Sequence, residues 1–470
     1  MGHGLHLAEV MARPSTQRAP LFQLFAEMRA QHGPLFRLRL PGLGDVVYLE
    51  DVELVREVFR QHGAHVESSF PDSLVRLFGA AVTGPPQQAM RHTFHALVQK
   101  TLQEEDRFAT MKAMVREEML SWCGPASGGA APATGRTLLD DRATRVALRV
   151  AVFSFLGETY AFDRGLCDRL ITLYADIEAG VFSQFPYAVP GSTMWRALRA
   201  RRAVDEIVRG VLRDYARRGV SDAYIHEIYD VGVRSYYRAD GAETREACGL
   251  RSIVGLLFAS FDTTRIALMT AMAAMAAHPD FVARLRRELS EAGLRDDVSL
   301  TNASLNDLRL LDCFVWEVLR FNPVSQLVPR IAIEDFDLGP YRVEKGWHVW
   351  IPVKALCESP AVFKRPERFD PLRFVEDERA RLEVVGWIFA AGKRVCPGRR
   401  LVMAELKLLC FYLMTLIDLR NDDPRARSGE LELRSGIPFS VVRGFEPVFT
   451  PRGSVEVERG ASTDGSSVEP

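Results

Sequence analysis

Residues 389–406 read FAAGKRVCPGRRLVMAEL, one cysteine between two glycines and among four basic residues, directly before an apolar run of helical spacing. Pro397 and Gly398 suit a helix start, since a first-turn N–H has no intrahelical partner to lose. The Cys396 sulfur is then expected at the positive end of a helix dipole, near free amide N–H groups, an environment that lowers a thiol's pKa and favours the thiolate. Gly392 and Gly398 carry no side chain, which lets something flat and bulky approach the backbone. Arg394 is placed to pair with a carboxylate on that object, and Phe389 to pack against its face or against the sulfur. An isolated Cys-Pro-Gly would read more simply as a buried cysteine at a helix start; the full spacing F-x-x-G-x-R-x-C-x-G is much harder to obtain by chance.

The rest of the chain bounds what this cysteine does. Of 470 residues, 47% are apolar and 26% charged, enough to build a large core, and the net charge of −1 gives no overall field for nucleic acid or an anionic membrane. The other cysteines (Cys123, Cys167, Cys248, Cys313, Cys357, Cys410) are scattered, without C-x-x-C spacing, which argues against a disulfide framework or a structural zinc site and suits a reducing cytoplasm. The N-terminal stretch lacks the apolar core and cleavage site of a signal peptide. The longest apolar tract, 253–277, is interrupted by Asp262 and Arg265, which are costly in lipid, so it reads as a helix buried in protein and not as a membrane anchor.

Helical periodicity dominates, and short strand-like runs cluster at the two ends. LFRLRL near Leu35 and DVVYLE near Asp45 flank a Pro-Gly-Leu-Gly turn, a hairpin pattern. VPRIAIED, YRVEKGWHVWIPV and FSVVRGFEPVFT repeat the alternation, predicting a small sheet assembled from both ends. DVELVREVFRQHG is expected to end on Gly63, and PDFVARLRRELSEAG to run from Pro279 to Gly293. CGPASGGAAPATG, from Cys123, reads as a loop. One mainly helical domain with a minor β region is expected over 1–450, with 451–470 as a polar, disordered tail.

The cysteine spacing resembles the haem-binding signature of the haem-thiolate monooxygenases, the cytochrome P450 superfamily, with every fixed position present. The resemblance spans most of the chain and implies the P450 fold, with a long central helix over haem b and Cys396 as the axial iron ligand, alongside Phe389, Gly392, Arg394 and Gly398. The thiolate's electron push toward O–O cleavage is the family's chemistry. In LLDCFVWEVLRFNPV, Glu317 and Arg320 share a helix face with apolar flanks, and a buried pair needs a third partner. The resemblance supplies Arg373 in PERFDPLRF, with Arg368 the weaker candidate, as the third member of a structural triad. Asp262 and Thr263 in LLFASFDTTRIAL match the family's acid-alcohol proton relay. The simpler alternative is that Thr263 bonds back to the preceding turn and Asp262 pairs with Arg265. Ser260 stands where the family usually has glycine, and ALCESP departs from the family's usual residues before the proline.

Three arginines match the family's haem-propionate partners: Arg91, Arg330 and Arg394. Gln87 replaces an aromatic ring in the element that carries Arg91. The resemblance implies a cytoplasmic monooxygenase without a membrane anchor. It would act on a hydrophobic small molecule with electrons from NAD(P)H, through a separate reductase and a ferredoxin or flavodoxin-type partner. Lys393, Arg399 and Arg400, with Lys364 and Arg365, are either that partner's docking patch or a solvated face. The alternatives are a peroxide-dependent peroxygenase or isomerase, which commonly loses the acid-alcohol pair, and a non-catalytic haem sensor. By the family's topology the pocket would draw on SSFPDSLVRLFG, VFSQFPYAV, Leu256, Ala259, VSQLV and SGIPFS.

Overall fold

The computed structural model describes residues 21–40, 42–79, 86–123, 137–183, 185–219, 223–234, 244–421, 432–435, 440–443 and 447–452. The linker 124–136 and the tail beyond 452 therefore lie outside the described residues. The expected hairpin forms as β1 (Leu35–Leu40) and β2 (Gly44–Leu49), antiparallel with Leu40 opposite Gly44. Three more strands, β3 (Val66–Ser68), β4 (Val328–Ala332) and β5 (His348–Ile351), complete a sheet in the order β1-β2-β5-β4-β3. Because β2 pairs in parallel with β5, residues near 47 and 349 are neighbours, and the two ends of the chain are stitched together. A separate pair joins Ile417–Asn421 to Pro447–Pro451, so Pro451 belongs to a strand rather than to the polar tail expected from 451.

The helices that frame the site are, in chain order, α1 (Val52–Arg60), α2 (Pro86–Gln103), α3 (Leu138–Leu156), α4 (Arg164–Val181), α5 (Thr193–Arg218), α6 (Arg245–Ala277), α7 (Pro279–Glu291), α8 (Arg309–Phe321), α9 (Glu378–Ile388) and α10 (Arg399–Thr415). The Asp51 side chain caps α1 by accepting from the Leu54 N–H at 3.0 Å. The helix stops at Arg60, short of Gly63, because Gly63 is used in the next turn: at φ +80° its N–H donates to the Val66 carbonyl and starts β3. Helix α6 has 33 residues, about 50 Å of length. It is long and apolar enough to cross a membrane, yet 78% of its most apolar window is packed inside the fold, as a core helix requires. Three of its hydroxyls are satisfied within the helix: Ser252, Thr263 and Thr270 each donate to the carbonyl four residues back.

Helix α8 carries the most buried charges of the fold. Arg320 grips Glu317 with two parallel bonds, Nε to Oε2 at 2.8 Å and Nη2 to Oε1 at 2.9 Å. Arg373 Nε lies 3.1 and 3.2 Å from the same two oxygens. Glu317 and Arg320 are wholly buried, and two cations share one carboxylate. The excess charge is stabilised by carbonyl groups: Arg320 also donates to Cys357 and Arg368, and Arg373 to Lys364, Arg365 and Arg368. Arg368 thus enters through its backbone, while Arg373 supplies the guanidinium.

Removing the carboxylate leaves two buried guanidinium groups facing each other. Glu317→Gln is expected to lose about 3–5 kcal/mol of stability, measured by guanidinium chloride unfolding followed by far-UV circular dichroism. A loss below about 1 kcal/mol, the range of an exposed ion pair, would show that the carbonyl cage alone holds the arginines.

Candidate functional site

The loop between α9 and α10 is built around Cys396. Its N–H donates to the Phe389 carbonyl at 2.7 Å, closing the loop back on the end of α9. Ala390 at φ 57° and Gly392 at φ 67° supply two left-handed residues that turn the chain. At Gly392 a Cβ would meet the Phe59 carbonyl oxygen at 2.7 Å, so the glycine is needed for close approach of the loop to α1. This close approach is a reason for glycine at 392 besides the expected room for a flat ligand. Gly398 does face the sulfur: a Cβ there would stand 3.8 Å from Cys396 Sγ and 3.5 Å from the Phe94 ring.

Alone among the seven cysteines, Cys396 is exposed, and two cavities meet at Cys396 and Pro397. The backbone N–H groups of Gly398 and Arg399 and the charge of Arg91 all favour the thiolate. The surface of Cys396 opens on these cavities, yet the protein packed around the sulfur desolvates it, which outweighs those groups and pushes the thiol above its ordinary value. The expected lowering is therefore not built into the chain by itself; a cation bound at the sulfur selects the deprotonated form.

The first cavity, about 410 Å³, is lined by Arg91, His92, His95, Lys393, Arg399 and Arg400 beside the cysteine. Arg91 Nη1 donates to the Lys393 carbonyl. Nearby, Arg394 Nε donates to His62 Nε2 at 2.7 Å, which assigns the ring proton to Nδ1. Nδ1 is buried without a partner, as is Nε of Arg330. Burial, then the charges of Arg394, Arg330, Arg91 and Lys393, push the His62 imidazole down to about 4, so the ring is neutral. Burial and Arg394 likewise push Arg330 down to about 10. Among the described residues, Arg91, Arg330 and Arg394 make no ion pair with a carboxylate. Unpaired cations and orphaned buried donors are the complement of an anionic ligand, and they suit haem propionates. Sequence reading missed His62, because its contact with Arg394 spans 332 residues and no local spacing marks it. Gln87 falls within α2, but its side chain lies outside the described residues.

The second cavity, about 210 Å³, is lined mostly by apolar side chains: Phe94, Leu256, Ala259, Ala267, Leu319, Val324, Ile388 and Phe389, with Ser260, Thr263, Ser325 and Glu405. Phe389 meets Trp316 edge-on, with ring centroids 5.9 Å apart. Of the expected pocket stretches, the Leu256 and Ala259 turn and the segment at Val324 and Ser325 line it. Residues 68–79 and the described residues of 181–189 do not; Phe185, Tyr187 and Val189 point to solvent, and 436–439 lies outside the described residues.

Asp262 and Thr263 are adjacent in sequence but face different ways. Thr263 lines the cavity, with Oγ1 donating to the Ala259 carbonyl at 2.8 Å, so the hydroxyl offers lone pairs to the cavity side. Asp262 is turned toward α3 and α4, where Arg265 bonds it at 2.9 Å and also reaches Asp140 and Glu178. Burial alone would lower the Arg265 guanidinium, but Asp262, Asp140 and Glu178 together raise it. Both contacts of the simpler reading are present, and they coexist with a hydroxyl on the cavity wall.

Comparison with known proteins agrees with this geometry. The family model for cytochrome P450 matches residues 239–423. Human cytochrome P450 26C1 is 28% identical over 82% of this chain and 77% of its own length. Abscisic acid 8'-hydroxylase 3 of Oryza sativa subsp. indica is 25% identical over 83% of this chain and 75% of its own length. Among solved structures, retinoic acid-bound cyanobacterial CYP120A1 superposes with a TM-score of 0.73 at 22% identity, covering 91% of this chain and 94% of that one. A zebrafish cytochrome P450 with progesterone gives 0.74 at 22% identity, covering 92% and 100%.

Gly392→Ala combines a left-handed backbone with a collision against Phe59 oxygen. It is expected to cost about 1–2 kcal/mol from the backbone conformation alone, and to lower the haem content of purified protein, read as the ratio of Soret to aromatic absorbance. Wild-type haem content in that variant would show that the loop does not need this approach.

Proposed function

Since the chain belongs to the cytochrome P450 superfamily and is a monooxygenase with a haem-thiolate cofactor, we propose that it hydroxylates or epoxidises a hydrophobic, isoprenoid-like small molecule with electrons from a separate redox protein. The observation that carries this reading is the Cys396 thiol where a cationic cavity meets an apolar one. Cys396 would hold the iron, while Arg91, Arg330, Arg394 and the free Nδ1–H of His62 would bind the propionates. When bound, haem supplies the activation of dioxygen that no amino-acid side chain provides.

The chain's own residues do the positioning. Leu256, Ala259 and Val324 exclude water around the substrate, while Phe389, beside the cysteine, packs on the haem side. Ser260 and Ser325 are the polar groups available to orient it, so the serine in place of the family's usual glycine contributes a substrate contact. Thr263 accepts and relays hydrogen bonds at the site where oxygen is reduced, and Asp262, held by Arg265, is its acid partner on release from that ion pair. The isoprenoid-like class is supported by the names of the relatives: retinoic acid, abscisic acid and progesterone are all of isoprenoid origin.

Electrons would come from NAD(P)H through a reductase and a ferredoxin or flavodoxin-type protein. The docking face would be Lys393, Arg399 and Arg400 with His92 and His95, which surround the cavity on the cysteine side. A cytoplasmic location is supported by seven free thiols.

Cys396→Ser is expected to abolish the long-wavelength absorption band of the carbon monoxide complex of the reduced protein; persistence of that band would remove Cys396 as ligand. Thr263→Ala is expected to release peroxide in place of product, and unchanged coupling would remove Thr263 from the relay. Assays with a surrogate ferredoxin and reductase, and separately with hydrogen peroxide, test the class. Turnover with peroxide alone would replace the monooxygenase reading by a peroxygenase, and turnover with neither by a sensor. Titrating isoprenoid ligands against the Soret band tests the substrate class, with the expected outcome a shift to shorter wavelength on displacement of water.

A further inference from the structure

The cavity at Cys396 has two facing walls, one built by the cysteine loop and α10, the other by α6, which presents Ala259, Ser260, Thr263 and Thr264. An iron held by Cys396 would turn its remaining axial position away from the sulfur, toward α6. Oxygen would then be reduced against the α6 wall, and the hydroxyls of that wall are the groups placed to serve it.

These hydroxyls are not alike. Thr263 donates its one proton to the Ala259 carbonyl at 2.8 Å, as mid-helix hydroxyls commonly do, so it can accept but not donate toward the cavity while that bond stands. Ser260 behaves differently. It lines the cavity, its hydroxyl has no hydrogen-bond partner among the described residues, and it does not bond back to the Leu256 carbonyl four residues earlier. Thr264, on the same wall, is likewise unbonded among the described residues. Ser260 precedes Thr263 by three residues and Thr264 by four, the spacings that make side chains neighbours on a helix surface, about 5–6 Å apart at Cβ. The acid of this helix is not placed to donate: Arg265 holds Asp262 at 2.9 Å on the side of α3 and α4. Ser260 is also where this chain departs from the glycine usual in the family, so the free proton belongs to this chain rather than to the signature.

We propose that the Ser260 hydroxyl is a proton-donating group of oxygen reduction, paired with Thr263 in opposite polarity: Ser260 donates and Thr263 accepts. This rests on the monooxygenase reading above, and it gives Ser260 a task besides the substrate contact, which a lone pair can make. In that reaction, dioxygen, a substrate C–H, two electrons from the redox partner and two protons give the hydroxylated product and water. Ser260 passes one of the protons. Its O–H bond breaks as an O–H bond forms on the oxygen, and the serine oxygen takes a replacement proton from solvent water, so the side chain ends unchanged.

The test compares the haem-loaded wild type with Ser260→Ala, which removes the hydroxyl, Ser260→Gly, which restores the family's residue, and Ser260→Thr, which keeps the hydroxyl. The first readout needs no turnover: infrared spectroscopy of the carbon monoxide complex of the reduced, substrate-free protein. A hydrogen-bond donor beside the bound gas draws electron density onto it and lowers its C–O stretching frequency. That frequency is expected to rise in Ser260→Ala and Ser260→Gly and to stay near the wild-type value in Ser260→Thr. Product formed per NAD(P)H is expected to fall about two- to tenfold in Ser260→Ala, the worth of one neutral hydrogen bond, with peroxide released instead, and to stay within about twofold in Ser260→Thr. An unchanged C–O frequency or unchanged coupling in Ser260→Ala would each overturn the proposal. Weaker substrate binding alone, with frequency and coupling kept, would leave Ser260 as a substrate contact and overturn it too. A wild type without electron-driven turnover would instead defeat the monooxygenase reading, and the infrared comparison would still decide whether Ser260 donates into the cavity.

Discussion

One carboxylate held between two guanidinium groups, buried away from the surface, sets the frame on which the cysteine loop stands. Glu317, Arg320 and Arg373 lie at 0%, 0% and 8% exposure, and their leftover donors draw in the carbonyls of Cys357, Lys364, Arg365 and Arg368. A buried ion pair of this kind adds little net stability, because desolvation cancels most of the Coulomb gain, but breaking it is costly. Its effect is positional. It fixes about fifteen residues of irregular chain to α8, a segment with few helical or strand bonds of its own. The Trp316 ring on that same helix meets Phe389, whose carbonyl accepts the Cys396 N–H. The lock and the sulfur are thus two contacts apart.

The charges around the cysteine follow a different rule. Around Glu317 every donor is satisfied inside the protein, whereas around His62 donors are left over. Arg394 orients the imidazole, the imidazole keeps a buried N–H free, and Arg330 does the same with Nε. Leaving such groups unpaired costs on the order of 1–3 kcal/mol each in a chain with nothing bound. A ligand with carboxylates would recover the cost, so the proposed propionate site would store its affinity as incomplete bonding. The thiol behaves alike: Gly398 and Arg399 aim N–H groups at the sulfur, and burial still leaves it above its ordinary value until a metal cation takes the proton's place.

The features legible in sequence were those whose spacing is local. Cys396 with its flanking glycines, the Glu317 and Arg320 pair one helical turn apart, and the hairpin at Leu35 all announce themselves within twenty residues. The reasons behind them were less legible. Gly392 was expected to leave a gap for a ligand, and the structure adds a second reason, close approach to Phe59 on a helix more than 330 residues away. Gly63 looked like a helix cap and is the pivot of the next turn. His62 carried no pattern at all, since its role exists only where β3 and the cysteine loop converge. The exposed Phe185, Tyr187 and Val189 were expected in the pocket wall from the family's topology, which does not say which side of a loop faces inward.

Glu405 and Asp262 show why residue type alone does not assign an acid its task. Both are carboxyl groups in long apolar helices, both are almost wholly buried, and they end in opposite electrostatic settings. Asp262 meets an arginine that already serves Asp140 and Glu178, so its negative charge is matched and its orientation fixed away from the cavity. Glu405 meets apolar side chains, so its charge is unmatched and its proton retained. Two carboxyls of one fold thus rest in opposite protonation states because of their surroundings rather than their residue type, one as anion and one as acid. In this chain the division runs across the cavity wall, with the anion outside it and the acid within.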